Sequence, residues 1–90
     1  MSAAKFRCGR IVSTPNALAK LTHDDIMRGL EQHQAGDWGD MSEDDQKKNE
    51  LALEKVSRLF SVYHTESGVK FWIVTEANRS ATTVLLPEDY

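Results

Sequence analysis

The chain has 90 residues, of which 40% are hydrophobic and 28% are charged, and its net charge is −3 at pH 7. This length supplies one modest core, so we expect a single domain with no room for a separate cofactor-binding domain. Proteins that bind nucleic acids are usually basic, because phosphate contacts supply most of their affinity. The acidic balance therefore argues against direct nucleic-acid binding.

The sequence contains one cysteine, Cys8, which excludes a disulfide within the chain and is typical of a reducing compartment. No stretch approaches the roughly 20 apolar residues that a membrane helix needs. Residues 1–5 lack the apolar run of a signal peptide. We expect a cytoplasmic protein with no membrane contact, in which residues 1–9 form a flexible leader. Arg7 and Arg10 are close enough in sequence to lower the pKa of the thiol, although an ordinary free thiol is the simpler expectation.

The first half of the chain predicts one strand and three helices. Residues 10–13 have the β-branched centre of a short strand. Thr14 can cap a short helix in which Pro15 suits the first position. Thr22 and Asp25 have the spacing of a capping box at the start of a second helix. Ser42 is the predicted cap of a third helix.

The second half predicts three strands, over residues 58–64, 69–76 and 81–86. The short turns between them favour an antiparallel meander. The whole chain is therefore predicted to be a two-layer α+β domain of order β-α-α-α-β-β-β. Alternation places Trp72 on the sheet face that points away from the helices, where it is expected to be either covered by the tail of the chain or part of an interface. The face predicted to meet the helices carries Val69, Phe71 and Ile73.

Motifs of known chemistry are few, and we predict no catalytic residue, metal or cofactor. The sequence has no Gly-x-Ser-x-Gly motif and no Gly-rich phosphate loop, and no two histidines have a metal-binding spacing. His64 as a catalytic base remains an alternative to a structural role. The acidic run over residues 37–45 lacks the spacing of a calcium loop. One interpretation is a polar turn followed by acidic residues at the start of a helix. The alternative is an acidic patch that binds a basic partner.

The turn over residues 76–80 places a carboxylate, an amide, a guanidinium and a hydroxyl together. One interpretation is structural: an ion pair between Glu76 and Arg79 closes the turn, Asn78 is left-handed, and Ser80 bonds a backbone N–H. The other is a recognition patch, because arginine and tryptophan are frequent at interface hot spots. The predicted partner-binding residues are Lys70, Trp72, Glu76, Asn78, Arg79 and Ser80.

Nearly the whole chain resembles a family of short bacterial proteins carried on plasmids and prophages. The segments that carry the resemblance are GRIV at 9–12, GDWG at 36–39, KFWIVTEANRS at 70–80, and LLP at 85–87. Such proteins are often labelled plasmid-related, or subunit M of a type I restriction enzyme. A methyltransferase needs a cofactor-binding domain, for which this chain has neither the length nor a Gly-rich motif. The resemblance therefore implies a mobile genetic element and no catalytic residue.

The order of elements and the terminal tyrosine are also similar to the RelE and ParE toxins. Ribonucleases of that class use basic residues and a tyrosine on the sheet face. That likeness implies a role for Arg58, Lys70, Arg79 and Tyr90. The acidic net charge departs from the strongly basic toxins.

We therefore expect a non-catalytic protein-interaction module from a mobile element. Its specific form would be an inhibitor of a host defence complex that targets nucleic acid, such as a CRISPR or restriction enzyme. A RelE-like ribonuclease is the first alternative. The second is a homo-oligomeric regulatory protein, in which the strand over residues 81–86 pairs with its copy.

Overall fold

A computed structural model of the protein describes residues 4–90, which form three α-helices and one four-stranded sheet. The elements are β1 (Arg10–Ser13), α1 (Pro15–Lys20), α2 (His23–Gln34), α3 (Glu43–Lys55), β2 (Leu59–His64), β3 (Lys70–Thr75), β4 (Ala81–Leu85) and a 3₁₀ turn (Pro87–Asp89). The predicted α+β class and order of elements are confirmed.

Each helix begins at the side-chain cap that the sequence predicts. The Thr22 hydroxyl accepts a hydrogen bond from the Asp25 N–H at 3.1 Å, and the Asp25 carboxylate accepts one from the Thr22 N–H at 2.9 Å. At α1 and α3 only the first kind of bond forms: the Thr14 hydroxyl accepts the Ala17 N–H and the Ser42 hydroxyl accepts the Asp45 N–H. These bonds satisfy N–H groups that have no partner within the helix, which fixes where each helix begins.

The strand order is β1-β4-β3-β2. Strands β2, β3 and β4 form the predicted antiparallel meander, and β1 returns to pair with β4 in parallel. Strand β4 therefore has a neighbour on both sides. The expectation that residues 81–86 form a free edge for self-pairing is wrong, because β1 occupies that edge.

The main core lies between the sheet and the first two helices. Phe71 and Ile73 are buried there with Val69 packed beside them, so the predicted orientation of β3 is confirmed. We call this side of the sheet the helix face and the opposite side the outer face. Other members of this core are Ala17, Leu21, Leu30, Tyr63, Val84 and Leu86.

A second core joins α3 to the loop before it, and it also includes the segment predicted to be a flexible leader. Trp38 is only 2% exposed and packs with Ala52 and Leu59. Phe6 stacks on Trp38 at 6.2 Å between ring centroids, and the Lys5 N–H donates to Gln34 at 2.7 Å. In the structure, Lys5 of the predicted flexible leader is thus hydrogen-bonded to α2, Phe6 is packed on Trp38, and Cys8 is buried. Residues 1–3 lie outside the described part of the chain.

Candidate functional site

Arg79, in the turn between β3 and β4, connects that turn to the end of α3. Its backbone is left-handed, with φ of 60°. Its guanidinium donates hydrogen bonds to the carbonyl oxygens of Ala52 at 3.0 Å and Ser57 at 2.6 Å. These carbonyls belong to the last turn of α3 and the residues after it, where helix carbonyls lack intrahelical partners. The guanidinium thus serves as a C-terminal cap.

The neighbouring turn residues also have local roles. The Asn78 side-chain oxygen accepts the Ser80 N–H at 3.0 Å. The Glu76 carboxylate lies 4.0 Å from the Arg58 guanidinium, so it pairs with Arg58 where the structural interpretation expected Arg79. The left-handed residue is Arg79, not Asn78. Of the six residues predicted to bind a partner, Asn78 and Ser80 thus bond each other within the turn, and Arg79 caps α3.

The other three predicted residues, Lys70, Trp72 and Glu76, share the outer face along β3. The Trp72 ring meets two aromatic rings there. Phe60 lies 5.0 Å away and Tyr90 lies 5.5 Å away, in an edge-to-face arrangement with Tyr90. The Trp72 side chain remains partly exposed between them.

Arg58 completes this group, because its guanidinium donates to the Tyr90 hydroxyl at 3.2 Å and lies 5.8 Å from the Tyr90 ring centroid. Arg58, Phe60, Trp72 and Tyr90 are called the aromatic surface below. Tyr90 is 70% exposed. The Trp72 indole N–H is buried and finds no acceptor within residues 4–90, an arrangement that costs roughly 1–3 kcal/mol.

A cleft of about 390 Å³ opens beside the aromatic surface, between α3 and the outer face. Phe60 and Val62 form its apolar part. Asp40, Lys48 and Arg58 supply charges of both signs around it. The cleft is large enough for one or two side chains of a partner, and the mixed charge selects no single sign of ligand.

Phe60 and Tyr90 were not predicted as site residues. Val62 pairs with Trp72, which puts Phe60 diagonally across from Trp72 on the same face. That proximity depends on the register of the hairpin. Tyr90 reaches Trp72 because the 3₁₀ turn folds the chain end back over the sheet. For Arg58 and Tyr90, the sequence predicted a role only through the likeness to the toxins.

A buried serine–histidine pair lies between α2 and the sheet. The Ser61 hydroxyl is 2.5 Å from His33 Nδ1, and the Thr75 hydroxyl is 2.8 Å from His33 Nε2. Thr75 also contacts Thr82 at 2.7 Å, and Thr82 donates to the Cys8 carbonyl at 2.8 Å.

Since the Thr82 proton is committed to Cys8, Thr75 must donate to Thr82 and accept from His33 Nε2–H. His33 Nδ1 is then left to accept from Ser61. Every group in this series of hydrogen bonds therefore has its partners.

The serine–histidine pair has the geometry of an activated nucleophile but not the access. Ser61 and His33 are both 0% exposed, so no substrate carbonyl reaches the hydroxyl. Burial, assisted by the positive charge of Arg79, lowers the pKa of His33 to about 4. We assign this neutral histidine a structural role, as a polar link between α2, the sheet and the segment that contains Cys8.

The remaining reactive side chains do not form a site. Cys8 is buried, and burial raises the pKa of its thiol, so the activation considered from Arg7 and Arg10 is not realised. His64 lies 3.8 Å from Asp40 on the exposed end of β2. Within residues 4–90, no three His, Cys, Asp or Glu side chains converge in a way that would hold a metal ion. Three acids of the run over residues 37–45 occupy the first turn of α3, as the helix dipole favours.

Comparisons with protein-family models, with curated proteins and with solved structures found no significant match. None of the helices described between residues 4 and 90 has both the length and the apolar character to cross a membrane.

Proposed function

We propose that the protein is a non-catalytic interaction module that binds a protein partner through the aromatic surface and the cleft beside it. The observation that carries the proposal is the contact of Trp72 with Tyr90 and Phe60, with Arg58 held against Tyr90. Tryptophan, tyrosine and arginine are the residues most enriched among binding hot spots.

The position of this surface supports the proposal. Helices α1 and α2 bury the helix face, whereas on the outer face Phe60 and Trp72 are partly exposed and Tyr90 is mostly exposed. Lys70 and Glu76 are exposed at the two ends of β3 and form a charged rim around Trp72.

The buried indole N–H of Trp72 gives the partner a further role. Tyr90 is mostly exposed, so it can move with little loss of packing. A partner that shifts Tyr90 and offers a carbonyl or carboxylate oxygen would satisfy the indole N–H, which has no acceptor among the described residues. Binding would then remove a cost that the isolated chain bears.

The specific form of the proposal follows from the resemblance to plasmid- and prophage-borne proteins. In that form, the module inhibits a host CRISPR or restriction complex by occupying one of its protein surfaces. Small size and an acidic balance suit a stoichiometric inhibitor of a complex that binds nucleic acid. In cells with active immunity, expression of the protein should raise phage plaquing, and the Tyr90→Ala/Arg58→Glu variant should not.

The contact between Arg58 and Tyr90 also favours a second candidate, the RelE-like ribonuclease. A guanidinium beside a tyrosine hydroxyl on a sheet face is a chemically reasonable phosphate site. Arg79 does not join it, because its guanidinium caps α3. This candidate predicts growth arrest on expression and RNA cleavage by the purified protein, whereas the interaction module predicts neither.

Photo-crosslinking in the native host tests the interaction module directly. A photoreactive phenylalanine derivative in place of Tyr90 should crosslink to a defined protein. The same derivative in place of Leu51, which is exposed on α3, should not. Equal crosslinking from both positions, or from neither, would refute the aromatic surface as the binding site.

A further inference from the structure

The two edges of the sheet differ in whether other described residues bond their outward backbone groups. At the β2 edge, the Asn49 side chain bonds both backbone groups of Phe60, donating to its carbonyl at 2.6 Å and accepting its N–H at 3.1 Å. The loop before α3 bonds both groups of Val62, because Asp40 N–H donates to Val62 and Val62 N–H donates to Trp38. The β2 edge is therefore closed.

Among the described residues, 4–90, nothing covers the β1 edge. Arg10 and Thr14 donate their N–H groups to Ser80 and Val84, so alternate residues of β1 turn toward β4. The residues between them, Ile11 and Ser13, direct their peptide N–H and C=O groups away from the sheet. An open strand edge of this kind is a template for pairing with another strand.

The side chains around this edge are apolar. Ile11 is 50% exposed and Val12 is 38% exposed, and no charge interrupts β1 after Arg10. A groove of about 520 Å³ runs beside β1 on the helix face, where Leu18 and Met27 are also exposed. Edge strands that avoid association usually carry a lysine, a proline or a bulge, and Ile11–Ser13 has none of these.

We propose that a second copy of this chain covers the β1 edge, with the two β1 strands antiparallel about a two-fold axis at Val12. In this register Ile11 faces Ser13 of the second copy, so the outward N–H and C=O groups of both form hydrogen-bonded pairs. The two sheets become one sheet of eight strands. The two exposed grooves meet across the axis.

Charge complementarity favours a second copy over an unrelated strand. The same register places Arg10 opposite Thr14 of the second copy. Thr14 donates to the Asp89 carboxylate at 2.6 Å, which fixes a negative charge at that point. Arg10 is exposed and forms no ion pair within residues 4–90. The two-fold axis generates this cation–carboxylate contact twice.

The dimer extends the proposed function without depending on it. A two-fold axis perpendicular to the sheet keeps the outer faces of both copies on the same side. Two aromatic surfaces would then be presented together, which gives a bivalent module when the partner has two sites. The β1 edge and the aromatic surface are separate, so a variant can remove one without the other.

Solution mass tests the proposal. At about 100 μM, a concentration at which weak dimers are populated, the protein should have twice its 10.2 kDa chain mass. Val12→Lys places two like charges face to face at the axis and should return the monomer. Leu51→Lys, at a similarly exposed site on α3, should remain a dimer. A wild-type monomer, or a dimer that survives Val12→Lys, would overturn the proposal.

Disulfide trapping tests the register. Val12→Cys places the new thiol opposite its own copy in a non-hydrogen-bonded pair, about 4.5 Å apart at Cα, which suits a disulfide. Ile11→Cys lies diagonally from its copy and should crosslink far more slowly. The wild-type protein, which contains the buried Cys8, gives the background level of disulfide crosslinking. Faster crosslinking of Ile11→Cys than of Val12→Cys would exclude the pairing at Val12.

Discussion

Arg79 donates a hydrogen bond from its guanidinium to the Ala52 carbonyl oxygen at 3.0 Å, across a separation of 27 residues. The β3–β4 turn thereby holds the C-terminal end of α3. The same guanidinium lies 5.8 Å from the ring centroid of Phe6, which adds the segment before β1 to this contact. Three separate parts of the chain depend on one side chain.

Arg79→Ala should destabilise the fold without affecting partner binding. Loss of several charged hydrogen bonds to carbonyl oxygens should cost about 2 kcal/mol, which lowers the melting temperature by roughly 10 °C in a domain of this size. Thermal unfolding followed by circular dichroism measures this. Lys55→Ala, at an exposed position of α3, is the matched control. An Arg79→Ala protein with the wild-type melting temperature would contradict the capping role.

The free energy of unfolding should decrease as the pH is lowered, because His33 is buried in its neutral form. Its pKa is about 4 in the folded state, against about 6.5 when unfolded, so the unfolded chain takes up the proton first as pH falls. The stabilisation is complete above pH 6.5 and declines by up to about 3 kcal/mol toward pH 4.

Urea denaturation across this range, compared with His33→Gln, isolates the contribution of His33 from that of the carboxylates. The variant should be less stable at pH 7 and should show a shallower decline between pH 6.5 and pH 4. Parallel curves for the wild type and His33→Gln would show that His33 does not titrate as its burial requires.

Two glycines with similar backbone angles should respond differently to alanine. At Gly39, with φ of 79°, a Cβ would lie 2.0 Å from the Val62 carbonyl oxygen. At Gly68, with φ of 90°, no atom lies within 4 Å. Gly68→Ala should lower the free energy of unfolding by only about 1 kcal/mol, which is the cost of a left-handed backbone for alanine.

Gly39→Ala should cost more than about 3 kcal/mol, because the loop must leave the β2 edge to admit the methyl group. Urea midpoints of the two variants, measured side by side, test this difference. Equal destabilisation would mean that the contact between Gly39 and Val62 does not hold the loop in solution.

Local signals made much of the fold predictable. Thr14, Thr22 and Ser42 mark the helix starts because their hydroxyls cap N–H groups only three residues away. The alternation of β3 placed Trp72 and Phe71 on the correct faces for the same reason. These features depend on residues that are close together in the sequence, so sequence patterns predict them.

Features that depend on distant parts of the chain were missed. Strand β1 pairs with β4 at the other end of the sequence, and nothing within residues 10–13 specifies that partner. Phe6 and Trp38 pack against each other and against residues of α2, α3 and β2, all brought together by the fold. For Arg79 the sequence offers two interpretations, an ion pair with Glu76 or a recognition patch, and neither includes its hydrogen bonds to Ala52 and Ser57. Its real contacts require the end of α3 to lie within reach of a long side chain.

The capture of a partner by a double variant tests the central claim most directly. Tyr90→Ala/Arg58→Glu alters two exposed side chains of the aromatic surface, and Leu51→Ala alters an exposed side chain of α3. Each is compared with the wild type for retention of the protein that crosslinks at position 90, after circular dichroism establishes that it is folded. We expect the double variant to lose binding by roughly 30-fold, as a hot-spot loss of about 2 kcal/mol implies, while Leu51→Ala retains it. A folded double variant that binds as tightly as the wild type would contradict the assignment of this surface.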